Sequence, residues 1–229
     1  MLDTNQHTFW SDLRLCLSLM STCTPSHPSD DAASLSLRDP QPLLESTLAQ
    51  WGGRGDMWLF AYGSLIWRPG FHATERRSAL LHGYHRTFRM RSRVNRGSPQ
   101  EPGLVFALLS GGSCRGLVYR IARHEAEATL TQLWQREMPT GVYDPQWLRC
   151  RTPDGDVTAL AFTLSRQSPS WTGPLDDARL LHIFKHAHGR YGSTLDYLLR
   201  TAHSLGECGI HDREVRRQVD LAHRHGLTG

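Results

Sequence analysis

Apolar positions in this chain gather into strand-like runs and helix-spaced stripes, and their order predicts most of the elements. Trp58-Leu59-Phe60-Ala61 is an unbroken apolar run, the pattern of a short strand covered on both faces, and it breaks at Tyr62-Gly63-Ser64. Residues 78–94 read as a strand. Within it, Phe88, Met90 and Val94 fall on one face, and Arg89, Arg91 and Arg93 on the other. Residues 104–109 and 116–121 read as two more strands, with Gly111-Gly112-Ser113 as a hairpin loop between them. Residues 147–151 and 157–164 form another pair around the turn Pro153-Asp154-Gly155-Asp156.

Helical spacing takes over elsewhere. Ala126, Leu130, Leu133 and Trp134 mark a helix over 123–137, which stops at Met138 because Pro139 disfavours helical geometry in the residue before it. Pro174 opens a second helix, with Asp176 and Asp177 in its first turn and Lys185, His186 and His188 in its last; Gly189 stops it. Leu180, Ile183, Phe184 and Ala187 form its inward stripe. Ser193 caps a third helix, carrying Leu195, Leu198, Leu199, Ala202 and Leu205 and closed by Gly206. Residues 211–225 read as a last, polar helix. The start of the chain differs: residues 21–42 are rich in Ser, Pro and Asp and bury too little to repay ordering, and 13–20 predict only a short helix. The expected organisation is an N-terminal extension, 1–55, partly disordered, and a folded domain, 56–229, without internal repeats.

Composition narrows the classes. The length of 229 residues suits one moderate domain plus a tail. A hydrophobic content of 39% and a mean hydropathy of −0.45 fit a soluble globular protein, and no apolar run reaches the ~18 residues of a membrane helix. Asp3 and Asp12 precede the apolar stretch 13–20 and Arg14 interrupts it, so no signal peptide is expected. A net charge of +4 favours small anionic partners or weak nucleic-acid attraction. Aromatics are sparse along the Arg-rich strand, which argues against nucleic acid. The simplest reading of its Arg face is a solvated surface; the alternative is a positive wall near an anionic site. Five cysteines, an odd number without CxxC, speak against a disulfide framework and for a reducing cytoplasm.

Little dedicated chemistry is visible. Gly63 lets the chain turn after its strand, and N–H groups freed there can hold an anion. Glu137 lies four residues after Leu133 and seven after Leu130, on the apolar stripe at the helix C-terminus. Burial and the negative helix end would both raise its pKa, which suits proton transfer; a frayed last turn with a solvated carboxylate fits the periodicity equally. His182 and His186 stand at i, i+4 without an evident third ligand, so no metal site is expected. Cys114 and Cys150 sit in apolar strands as structural thiols. No GxSxG elbow, P-loop or GxGxxG is present.

Several motifs, taken in order, resemble one family. They are Phe60-Ala61-Tyr62-Gly63-Ser64-Leu65-Ile66-Trp67, Arg96-Gly97 through Pro102-Gly103, Gly116-Leu117-Val118-Tyr119-Arg120, Leu133-Trp134-Gln135-Arg136-Glu137-Met138 with Gly141 and Tyr143, and Gly189-Arg190-Tyr191-Gly192 with Asp196-Tyr197-Leu198. This set resembles the ChaC-type, glutathione-specific γ-glutamylcyclotransferases from about Trp58 to the last helix. The resemblance implies an α+β fold, a β-barrel or mixed sheet surrounded by helices. It implies cleavage of glutathione to 5-oxoproline and cysteinylglycine, with no cofactor and no metal. It points to Glu137 as the catalytic base and acid, and to Leu59, Phe60, Ala61, Tyr62, Gly63, Ser64, Leu65 and Tyr143 as substrate-binding residues. Partners other than the small-molecule substrate, whether nucleic acid or membrane, are not expected, and the oligomeric state is left open. Two other readings stand beside this one: a cyclotransferase for other γ-glutamyl amines or dipeptides, and a non-enzymatic regulator of cation transport. Gly141-Val142-Tyr143 stands where some members have Gly-Gly-Tyr, and residues 1–55 have no counterpart.

Overall fold

A computed structural model of the chain describes residues 38–228. Its centre is a closed five-stranded barrel, strand order β1-β3-β2-β4-β5. The strands are β1 (Met57–Ala61), β2 (Glu75–Ser92), β3 (Gly103–Ile121), β4 (Asp144–Thr152) and β5 (Gly155–Thr163). All neighbours are antiparallel except β1 and β5, which close the ring in parallel at Leu59↔Leu160. Helices pack around the barrel, so the α+β expectation holds. Among the described residues no helix is long and apolar enough to cross a membrane.

The long β2–β3 ribbon departs from the sequence reading. Residues 104–109 and 116–121 are one 19-residue strand, not two strands joined by a hairpin. Gly111 and Gly112, at φ +99° and +73°, bend β3 without reversing it, and the register slips opposite them between His82 and Tyr84. Two positive-φ glycines serve a bulge as readily as a turn, and pattern alone does not separate the two. Phe88 and Met90 face the core as expected. β2 ends at Ser92, however, so Val94 leaves their face and is 57% exposed.

Helix α1 (Gln41–Trp51) begins inside the stretch assigned to the extension. It buries Leu44 and Thr47, and Pro40 ahead of it accepts a hydrogen bond from Trp134 Nε1 at 2.8 Å. The predicted helix over 13–20, and the rest of the extension up to residue 37, lie outside the described residues. Helix α2 (Arg123–Glu137) buries Ala126, Leu130, Leu133 and Trp134, the predicted stripe. Helix α3 (Asp177–His186) starts later than Pro174, because Asp176 is its cap and accepts from the Arg179 N–H at 2.7 Å.

After α3 the two-residue strands β6 (His188–Gly189) and β7 (Gly192–Ser193) form a small ribbon. Gly189 there does not end a helix; it lets the ribbon press on the 96–103 loop. A Cβ on Gly189 would lie 2.6 Å from the Arg96 nitrogen, and one on Gly103 2.1 Å from the Arg96 oxygen. Ser193 caps α4 (Thr194–Glu207), which runs through Gly206 and stops before Gly209, at φ +66°. Its buried face carries Thr194, Tyr197 and Thr201 beside Leu198 and Leu205. The last helix, α5 (Arg213–Arg224), is polar in composition but buries Val215, Gln218, Leu221 and Ala222.

Candidate active site

The site forms where β1 ends. Leu59, Phe60 and Ala61 are fully buried and paired with Tyr119, Val118 and Leu117 of β3. They are the wall that delivers the next four residues. Tyr62 is held at both ends: its hydroxyl donates to the Phe162 carbonyl at 2.8 Å, and its own carbonyl accepts from Arg86 Nε at 2.6 Å. Residues Ser64–Ile66 then make one 3₁₀ turn, in which Ile66 N–H bonds back to Gly63 O. Among the described residues nothing accepts from the N–H groups of Gly63, Ser64 or Leu65.

Glu137 is the last residue of α2. Its side chain is 17% exposed and paired with its neighbour, Arg136 Nε to Glu137 Oε1 at 3.1 Å. The same guanidinium donates to Arg68 O at 2.6 Å, Pro69 O at 3.1 Å and Ser64 Oγ at 3.3 Å. One Arg side chain thus fastens the helix end to the loop after β1. The last turn is closed by the Met138 N–H to Trp134 O bond at 2.8 Å, and Met138 is fully buried. Of the two readings left open by periodicity, the enclosed carboxyl is the one observed. Burial pushes its pKa up, and the Arg136 charge offsets part of that rise.

Three tyrosines surround the carboxyl. Tyr62, Tyr143 and Tyr197 are 7%, 7% and 5% exposed, and each feels the Glu137 charge. Burial pushes all three hydroxyls up, Tyr197 to about 12, so all stay protonated at neutral pH. Tyr143 packs on Phe162, ring centroids 6.0 Å apart. Tyr197 arrives from α4, stacks on Phe88 at 6.2 Å and accepts the Phe106 N–H at 3.3 Å. Its hydroxyl also fills the space over Gly63: a Cβ there would lie 2.9 Å away. Gly63→Ala must therefore displace either Tyr197 or the loop. The expected results are a stability loss of about 1–3 kcal/mol and an at least ~10-fold fall in kcat/KM. Denaturant unfolding and initial rates check them.

Sequence reasoning missed several groups. Arg86 has a fully buried side chain; it also donates to Arg115 O at 2.6 Å and pairs with Asp212, the cap of α5. Two residues before Phe88 on the same strand, it shares the inward alternation, a signal that the surrounding run of arginines obscured. Arg96 is also buried, bonded to Asp196 Oδ2 at 3.0 Å and lying over the Tyr197 ring at 5.3 Å. The predicted Arg face is engaged with protein: Arg89 donates to Gly173 O at 3.0 Å and Arg91 to Pro169 O at 3.4 Å, tying the 168–173 loop to β2. His182 and His186 stack at 4.6 Å, and His182 meets Glu101 at 3.2 Å. Among the described residues no group of three or more His, Cys, Asp or Glu could hold a metal ion. Burial pushes the Cys114 and Cys150 thiols up to about 11 and 12, away from reactivity.

The chain is similar to known proteins. A glutathione-specific gamma-glutamylcyclotransferase of Escherichia coli (strain K12) is 35% identical over 170 residues, which cover 74% of each chain. Glutathione-specific gamma-glutamylcyclotransferase 1 of Mus musculus is 33% identical over 202 residues, 83% of this chain and 90% of the mouse protein. The crystal structure of a yeast gamma-glutamyl cyclotransferase specific to glutathione superposes with a TM-score of 0.68 at 21% identity, covering 75% of this chain and 97% of that one, and so shares the fold. The sequence model of the ChaC-like proteins matches residues 57–224, from the first residue of β1 to the last of α5. By that match and by the identity to its E. coli and mouse relatives, the chain belongs to the ChaC-like family.

Proposed function

We propose that this protein cleaves glutathione by intramolecular cyclisation of its γ-glutamyl group. The observation that carries the reading is an enclosed carboxyl, Glu137, fastened by Arg136 to a turn with three N–H groups that have no acceptor among the described residues. The relatives named above lend the substrate. The α-amine of the γ-glutamyl group attacks its own γ-carbonyl carbon. A C–N bond forms in a five-membered ring as the amide C–N bond to cysteine breaks. Neither change is a redox step. Glu137 takes the proton from the attacking amine and returns it to the leaving nitrogen, releasing 5-oxoproline and cysteinylglycine. Its raised pKa suits both halves of that transfer.

The loop supplies position. The N–H groups of Gly63, Ser64 and Leu65 receive the α-carboxylate of the γ-glutamyl head; Tyr143 offers a protonated hydroxyl beside it, and Tyr62, its own hydroxyl donated to Phe162 O, shapes the wall. Because the reaction is intramolecular, holding the folded conformer contributes much of the rate. The reading carries a cytoplasmic setting, which the free thiols of Cys114, Cys150 and Cys208 fit.

The test is incubation with reduced glutathione, assayed for 5-oxoproline and cysteinylglycine, with γ-glutamyl-alanine in parallel. Equimolar release of both products from glutathione is expected, at a higher kcat/KM than for the dipeptide. A preference for the dipeptide would move the assignment to another γ-glutamyl amine. Silence across such a panel would overturn cyclotransferase activity altogether.

A further inference from the structure

The family match begins at residue 57, yet the described chain begins earlier, with Arg38. Arg38 spreads three hydrogen bonds over the loop that joins Glu137 to β4. Nε donates to Gly141 O at 3.0 Å, one terminal nitrogen to Tyr143 O, and the other to Asp144 Oδ1 at 2.9 Å. The backbone contact is equally close. Gly141 sits at φ +61°, and a Cβ there would lie 2.2 Å from the Arg38 oxygen. Next to it, Pro40 O holds Trp134, one turn before Glu137 on α2. Behind both, α1 anchors the segment by burying Leu44 and Thr47.

Resting on the reading proposed above, we infer that Arg38 is a positioning residue for that reaction. It holds residues 138–144 in the arrangement that encloses Glu137 and sets the Tyr143 ring beside it. Arg38 makes no bond to the Glu137 carboxyl and acts through the loop. The clamp lies at the surface: the Arg38 and Asp144 side chains are 45% and 36% exposed. An ion pair so exposed adds little to global stability. Its effect therefore falls on the loop and on the rate.

The loop also controls the hydration of Glu137. The groups that face this carboxyl are Arg136 of α2, Tyr62 of the loop after β1, Tyr143 of the clamped loop and Tyr197 of α4. The tyrosines stay protonated across the working range, so among the protein's groups the acid limb of the rate belongs to the carboxyl, and the substrate's own α-ammonium contributes equally in wild type and variants. Opening the loop admits water and brings that limb down in pH.

The experiment compares the full-length wild type with Arg38→Ala and Arg38→Lys, measuring 5-oxoproline release against glutathione concentration and pH, together with Tm. For Arg38→Ala, kcat should fall about 10- to 100-fold, the acid limb should move to lower pH, and Tm should change little. Arg38→Lys should fall between the two, because one ammonium cannot serve three acceptors spread along a loop. If the alanine variant does not fold, the lysine variant carries the same comparison. A wild-type kcat and acid limb in the variants would overturn the inference. So would a rate loss that follows Tm while the acid limb stays in place. Should the wild type itself show no turnover, the functional reading has failed, and amide exchange of residues 140–143 decides the clamp alone. Faster exchange in the variants supports it, and unchanged exchange overturns it.

Discussion

Glu137→Gln is expected to fold, to lose about 10²- to 10⁴-fold in turnover, and to gain stability at neutral pH. The two effects share one cause. The buried carboxyl has a higher pKa in the folded protein than in the unfolded chain. Between those two values the folded state binds more protons, so stability falls as pH rises through the interval. At neutral pH the wild type keeps an enclosed carboxylate that, among the described residues, Arg136 alone compensates with a charge. Glutamine has nearly the same shape and no charge to bury. Its advantage in thermal melts should be present at pH 7 and shrink toward pH 4. Near-normal 5-oxoproline release would remove Glu137 from the mechanism. A variant less stable than wild type at pH 7 would show that the ion pair outweighs the burial.

Arg86→Ala is expected to cost about 3–5 kcal/mol, the range for stranding one partner of a buried ion pair. Its guanidinium holds the carbonyls of Tyr62 and Arg115 and the carboxylate of Asp212. Asp212 in turn accepts from the N–H groups of Glu214 and Val215. Removing the arginine therefore uncouples the loop after β1 from the start of α5 and leaves three acceptors without their donor. Urea unfolding reads the loss as a lower midpoint. Arg86→Lys should recover only part, since one head group cannot reach three divergent acceptors. A change below about 1 kcal/mol in the alanine variant would mean that water replaces the guanidinium, and the tether would have no role in placing Tyr62.

Much of the fold was legible because its signals are local. The apolar run at 58–61, the stripe Ala126, Leu130, Leu133 and Trp134, and the serine before α4 state their structure within a few residues. The hairpin over 111–113 failed because a glycine pair has the same appearance in a turn and in a bulge. The distinction lies in β2, eighteen residues that pair along all of β3. Glu137 was legible only halfway. Spacing put it on the buried stripe, but its enclosure depends on Arg136 reaching the loop and on Tyr197 arriving from α4. Arg86 and Arg38 were illegible for a related reason. Most of their partners are carbonyl groups, which every residue carries, and the two carboxylates, Asp212 and Asp144, stand 126 and 106 residues away, so no local side-chain pattern announces them.

The barrel closes where β1 meets β5, and Tyr62 bonds to a carbonyl 100 residues further along the chain. Synthesis therefore delivers the loop after β1 before its support. At about 5–20 residues per second, the β1 segment waits roughly 5–20 s on the ribosome before Phe162 exists to receive it. Until then the apolar strand Met57–Ala61 has an unpaired edge. A chain that ends before β5 lacks both the parallel partner of β1 and the Phe162 carbonyl, and could not assemble the pocket. The pocket is thus complete only after β5 and Tyr197 of α4 have both been made.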